Sequence, residues 1–153
     1  MFKKFLLFLV ISLQFLLVNA QLNMSVVGQL TFPGHGEMSD IWGHVDAAGN
    51  EYALVGTEHG TSIVDISTPS APVQVFFSPG DTTIWRDLKV WNNHVYITND
   101  NGGGSLKIID MSNLPGPITP ADVYTHAGTT YRFTIAHDIY IDENGFAYVM
   151  GAN

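Results

Sequence analysis

Apolar and polar positions alternate along this chain in short runs, and none holds a helical period. Three runs open on an aspartate followed by Ile or Leu: "DIW" at 40–42, "DLKV" at 87–90 and "DIYI" at 138–141, at intervals of 47 and 51 residues. About ten residues after each comes a second apolar run: "YALVG" from Tyr52, "VYIT" from Val95 and "AYVMG" from Ala147. A third run ends in Asp and a small polar residue, as "SIVDIS" at 62–67 and "KIIDMS" at 107–112. A fourth follows a Pro-containing turn: "PVQVFF" from Pro72 and "ADVYTH" from Ala121. Runs rich in Val, Ile, Tyr and Phe and bounded by Gly, Asn, Asp and Pro predict strands.

The turn residues agree. Asn144-Gly145 sits between two predicted strands and suits the φ > 0 positions of a two-residue hairpin. Ala48-Gly49-Asn50 and Asn92-Asn93 occupy the matching place in the earlier units.

Four antiparallel strands recurring every 45 to 50 residues describe a blade of a β-propeller. A β-sandwich also has many short strands, but gives no reason for Asp-Ile/Leu to return at a near-constant interval. The predicted class is therefore all-β: a β-propeller of four-stranded antiparallel blades, incomplete at about two and a half blades. Blade one is expected at about 38–78, blade two at about 85–126 and half of blade three at 136–153. Residues 22–32 are expected to form an outer strand of a neighbouring blade. A blade needs neighbours on both flanks. The chain thus reads as part of a longer protein, with closure by oligomerisation as the alternative.

The ordered motifs resemble a known family. "GTSIVDISTPSAPV" (60–73) and "GSLKIIDMSNL" (104–114) resemble the LVIVD repeat. The run from Ser39 onward, including "WRDLKVWNNHVYI" and "AHDIYIDENGFAYV", is similar to the start of choice-of-anchor B family proteins. That resemblance implies an exported, propeller-like protein with surface attachment encoded in a C-terminal segment.

The first 20 residues change the picture of the compartment. Lys3-Lys4 precede a mostly apolar run at 5–18, and Val18-Asn19-Ala20 places small residues at −3 and −1 of a cleavage site. This predicts a signal peptide and a mature start at Gln21. The apolar run is shorter than the roughly 20 residues of a spanning helix, and no later stretch predicts a transmembrane segment. Asn23-Met24-Ser25 fits a glycosylation sequon. Losing Lys3 and Lys4 moves the formal charge from −8 to −10, leaving Arg86, Lys89, Lys107 and Arg132 as the fixed cations. Four scattered cations cannot neutralise a run of phosphates, so neither nucleic acid nor an anionic membrane surface is expected as a partner. A surface or extracellular ligand is expected instead, and a cation is the more natural one. The absence of cysteine excludes disulfides, thiolate metal sites and a Cys nucleophile.

Candidate chemistry gathers at the repeated aspartates. A propeller would set Asp40, Asp87 and Asp138 in a ring at one rim of its channel, with His137 and Arg86 beside two of them and His35, Glu37 and His44 flanking Asp40. Carboxylates and imidazoles suit Ca²⁺, Mn²⁺ or Zn²⁺, so a divalent cation such as calcium is one reading and a polar or cationic ligand another. The competing reading is structural: an Asp at a strand entrance accepts nearby backbone N–H bonds, and a structural role recurs in every blade. Asp65 and Asp110 read as turn residues. Trp85, next to an anchor Asp, is the candidate stacking platform, whereas Trp42 and Trp91 read as blade packing. His137-Asp138 could be a base and its neighbour, but no spacing identifies a third group. No nucleophile elbow, zinc helix or Walker loop is present. Residues 99–104 have a faint calcium-loop composition but lack EF-hand spacing, and read as a flexible blade loop. The candidate ligand residues are thus Asp40, Asp87, Asp138, His137 and Trp85. Two functions remain: non-catalytic binding outside the cell, or a metal-dependent hydrolase or lyase working at the channel.

Overall fold

A computed structural model describes residues 24–102, 106–126 and 133–153. The predicted signal peptide, Gln21 and Asn23, Gly103, Gly104 and Arg132 lie outside the described residues. The first sheet joins β1 (Met38–Val45), β2 (Glu51–Thr57), β3 (Gly60–Asp65) and β4 (Val73–Pro79) in sequence order. The second joins β5 (Arg86–Trp91), β6 (His94–Asn99), β7 (Leu106–Asp110) and β8 (Val123–His126) in the same order. β9 (Asp138–Ile141) pairs with β10 (Ala147–Met150) as the start of a third unit. Every pairing is antiparallel. No α-helix occurs among the described residues, and no helix there is long and apolar enough to cross a membrane. This is the all-β propeller architecture: two four-stranded blades and the two inner strands of a third.

Alternation along each strand gives a blade two faces, and stacking buries them in turn. The front of blade one presents Tyr52, Leu54 and Ile63 to Leu88, Val95, Ile97 and Ile109 on the back of blade two. The front of blade two presents Tyr96, Leu106 and Ile108 to Ile139, Ile141 and Val149. Each fully buried Leu or Ile in such a seam contributes about 1.5–3 kcal/mol. The anchor positions record the same order: Leu88 and Ile139 are both 0 % exposed, whereas Ile41, with no blade behind it among the described residues, is 64 % exposed.

Two expectations need correction. Residues 24–32 form no strand. Gly28 instead packs closely against the Pro69–Pro72 turn, where a Cβ would meet the Pro69 carbonyl oxygen at 2.1 Å, and proline offers no N–H for a ladder. Asn144-Gly145 is not a two-residue hairpin either. Ile141 pairs with Ala147, so the connection has five residues, organised by Asp142. Its Oδ1 accepts the N–H groups of Asn144 (3.0 Å) and Phe146 (2.9 Å), and Gly145 adopts φ +84°. Asp46 builds the same five-residue loop in blade one, accepting from Ala48 and Asn50, each at 2.9 Å. Between the first and second strands of a unit, blade two has a two-residue turn instead: Trp91 pairs with His94, and Asn92 and Asn93 take φ 49° and 60°.

Candidate functional site

The strand-entrance aspartates join one blade to the next. Asp40 Oδ2 accepts the amide of Leu88 at 2.9 Å, and Asp87 Oδ2 accepts the amide of Ile139 at 2.9 Å. Each therefore satisfies a backbone donor at the entrance of the following blade's inner strand, where burial would make an unpaired N–H costly. Asp138 Oδ1 also accepts from Ile139, at 2.7 Å.

One cation serves this line of carboxylates. Lys89 Nζ lies 3.0 Å from Asp87 Oδ1 and 3.8 Å from Asp40 Oδ2, donates to the Leu88 carbonyl at 3.0 Å, and sits 4.5 Å from the centre of the Trp42 ring. Burial pulls the Asp87 carboxyl upward, but hydrogen bonds from Asp138, Asp40, the Ile139 amide and Lys89 outweigh it and hold it well below the usual carboxylate range. Burial, then the neighbouring Asp87, raises Asp40. The hydrogen bond to Asp87, then burial, raises Asp138. Asp87 thus keeps its charge while its two neighbours take up protons more readily.

All five candidate ligand residues border one open cleft of about 490 Å³, together with Glu37, Ser39 and Ile84. Trp85 is 56 % exposed there, with its ring 5.7 Å from that of His137. His137 Nδ1 lies 3.5 Å from Asp100 Oδ2, so its carboxylate partner is Asp100 rather than the adjacent Asp138. Asp100 is oriented by Thr83, whose hydroxyl donates to Oδ1 at 2.7 Å. Asp100 lies in the segment the sequence reads as a flexible loop, and local spacing gives no sign of this long-range pair.

Of the other candidates, Glu37 and Arg86 also border the cleft, whereas His35 and His44 do not. His35 stacks on Phe77 at 3.9 Å and reaches Ser62 at 3.3 Å; His44 is buried beside Tyr52 on the far end of the strand pair. Glu37 alone of the three residues flanking Asp40 borders the cleft. Arg86 is 3 % exposed and turned into the blade, donating from Nε to the Thr57 carbonyl (3.2 Å) and from a terminal nitrogen to the Asp81 carbonyl (2.6 Å). Trp91 packs on the third unit, where a Cβ on Gly145 would meet its ring at 2.4 Å. Asp65 and Asp110 accept the amides of Ser67 and Ser112, each at 2.8 Å, and close turns. Among the described residues no group of three or more His, Asp and Glu is arranged to hold a metal ion.

The sequence analysis missed Asp46 and Asp142, though a signal was present. Both begin Asp-x-x-Gly-x-x-Tyr, and each carboxylate accepts the hydroxyl of that tyrosine, at 3.2 Å from Tyr52 and 3.4 Å from Tyr148. The Asn50 side chain, then backbone amides, lower Asp46, and burial, then Asp46, pushes Tyr52 up to about 12.

Comparison with known proteins gives one family. The LVIVD repeat matches twice, at residues 43–77 and 80–125, and the two copies fall on the first and second four-stranded sheets. No curated protein and no solved structure matches the chain. With the two copies spanning more than half of its length, the chain belongs to the LVIVD repeat family.

Proposed function

We propose that this is an exported propeller protein of the choice-of-anchor B kind that binds, without catalysis, a small polar ligand carrying positive charge. The observation that supports the reading most is the cleft at the inner-strand entrances. It offers an exposed indole, Trp85, beside the carboxyl groups of Glu37, Asp40, Asp87 and Asp138, against two cations, Lys89 and Arg86. Lys89 is held by two aspartates and Trp42, and Arg86 by two carbonyls. A ring face bordered by under-compensated negative charge attracts a cation. A metal-dependent hydrolase is the weaker reading, because Asp40 and Asp87 each commit an oxygen to a backbone amide of the next blade.

The test is a titration of tryptophan fluorescence with tetramethylammonium, choline and glucosamine chlorides. A saturable change that Trp85→Phe abolishes supports the reading, and its absence at tens of millimolar overturns it. A stoichiometric calcium site that Asp138→Asn removes would favour the hydrolase. Export is tested separately: protein recovered outside the cell should begin at Gln21.

A further inference from the structure

Lys107 departs from the repeat. Register places Thr61-Ser62-Ile63-Val64-Asp65 of β3 and Leu106-Lys107-Ile108-Ile109-Asp110 of β7 on the same positions, so the family's second residue is a lysine in blade two. It pairs across the sheet with Ile97, which is buried in the seam between blades one and two. The counterpart of Lys107 in blade one is Ser62, so the position is polar in both copies but charged only in blade two; a charge beside an apolar seam marks a functional or strained position.

The surroundings of the amine are specific. Nζ crosses the seam to the end of β4, donating to the Pro79 carbonyl and, at 3.4 Å, to the Ser78 hydroxyl. Both partners are neutral, and no ion pair joins Lys107 to a carboxylate among the described residues. Burial, then the nearby Arg86 guanidinium, lowers its pKa, against a smaller opposing pull from Asp81. Lys107 borders a pocket of about 290 Å³ whose remaining walls are Phe76, Phe77, Ser78, Pro79, Pro120 and Val123. A desolvated amine beside another cation is the arrangement that turns lysine into a nucleophile. The other lysine of the described chain, Lys89, contrasts with it, held between two carboxylates.

We propose that Lys107 is a reactive amine that condenses with the carbonyl group of a small, largely apolar aldehyde or ketone seated in this pocket. The neutral Nζ adds its lone pair to the carbonyl carbon to give a carbinolamine. Loss of water then forms the C=N bond, the carbonyl oxygen leaving with both amine protons, so no oxidant or reductant is needed. Protonated, the product keeps one N–H with which to hold the Pro79 carbonyl. The pocket shares no lining residue with the Trp85 cleft, so this inference stands independently of the proposed cation binding.

The experiment treats the whole chain with 2-hydroxybenzaldehyde at pH 7, traps imines with cyanoborohydride, and maps them by peptide mass spectrometry. Lys107 should carry at least tenfold more adduct than Lys89, and the preference should shrink with formaldehyde, which has no ring to fill the pocket. Lys107→Arg should remove the major adduct while keeping a donor for Pro79. Equal labelling of Lys89 and Lys107, or labelling of Lys107 only above pH 10, overturns the proposal. An undiminished preference with formaldehyde overturns the part assigned to the pocket. Should the arginine variant fail to fold, the ratio in the unaltered protein decides.

Discussion

The carboxylate of Asp87 accepts a 2.9 Å hydrogen bond from the main-chain amide of Ile139, 52 residues further along the chain. Asp40 makes the same bond to Leu88, 48 residues on. A residue at one point of the repeat thus completes the backbone of the following repeat, so the blades are joined by polar bonds as well as by apolar faces.

Asp87→Ala removes one of the two acceptors of the Ile139 amide, leaving Asp138, and the nearer carboxylate partner of Lys89. Losing two charge-assisted bonds at this seam should cost about 1–3 kcal/mol. The expected outcome in urea unfolding is a midpoint well below that of Asp65→Ala, which loses only a turn bond to Ser67.

Acid should act on the aspartates with opposite signs. The Asp87 carboxyl is depressed in the fold, so its stabilising contribution is present above the unfolded value near 4 and disappears as pH falls through its folded value. The raised Asp40 and Asp138 carboxyls favour the fold at low pH, and that contribution is lost as pH rises through their folded values. Asp40→Asn keeps an oxygen for the Leu88 amide and removes the charge. Its melting temperature relative to the parent should be higher at pH 7, with the gain vanishing below about pH 4.

Gly145→Ala should damage the second seam. The position has φ +84°, and the new methyl would lie 2.4 Å from the Trp91 ring. Strain from φ alone costs about 1–2 kcal/mol, and displacing the indole adds to it. Thermal melting should fall by several degrees, with a change in tryptophan emission. Gly49→Ala, at φ +88° with open space around it, should show only the backbone part.

Asp46→Ala deprives two backbone amides, the Asn50 side chain and the Tyr52 hydroxyl of their acceptor. A clear loss of stability is expected, since Tyr52 is buried and its hydroxyl would be left unpaired. Asp142→Ala, in a more exposed loop, should cost less. Paired denaturation curves check the order.

The strands, their order within a blade and the repeat period were legible in the residues. Alternation and turn chemistry are local, and "SIVDIS" and "KIIDMS" repeat the same local solution. The turn between β9 and β10 was misread because Asn-Gly is a strong local signal, whereas the acceptor that sets the loop, Asp142, acts through bonds two and four residues away.

By itself the sequence determined that Asp40, Asp87 and Asp138 occupy equivalent places, because the same order of elements at a near-constant interval repeats the same geometry. Tertiary structure alone decided what each carboxylate touches: the next blade's amide, the Lys89 ammonium shared across one seam, and the open cleft beside Trp85. It likewise decided that His137 answers to Asp100 and that Lys107 donates to the neutral oxygens of Ser78 and Pro79. Those partners stand tens of residues apart and meet only when one blade packs on another, so no window along the chain contains both.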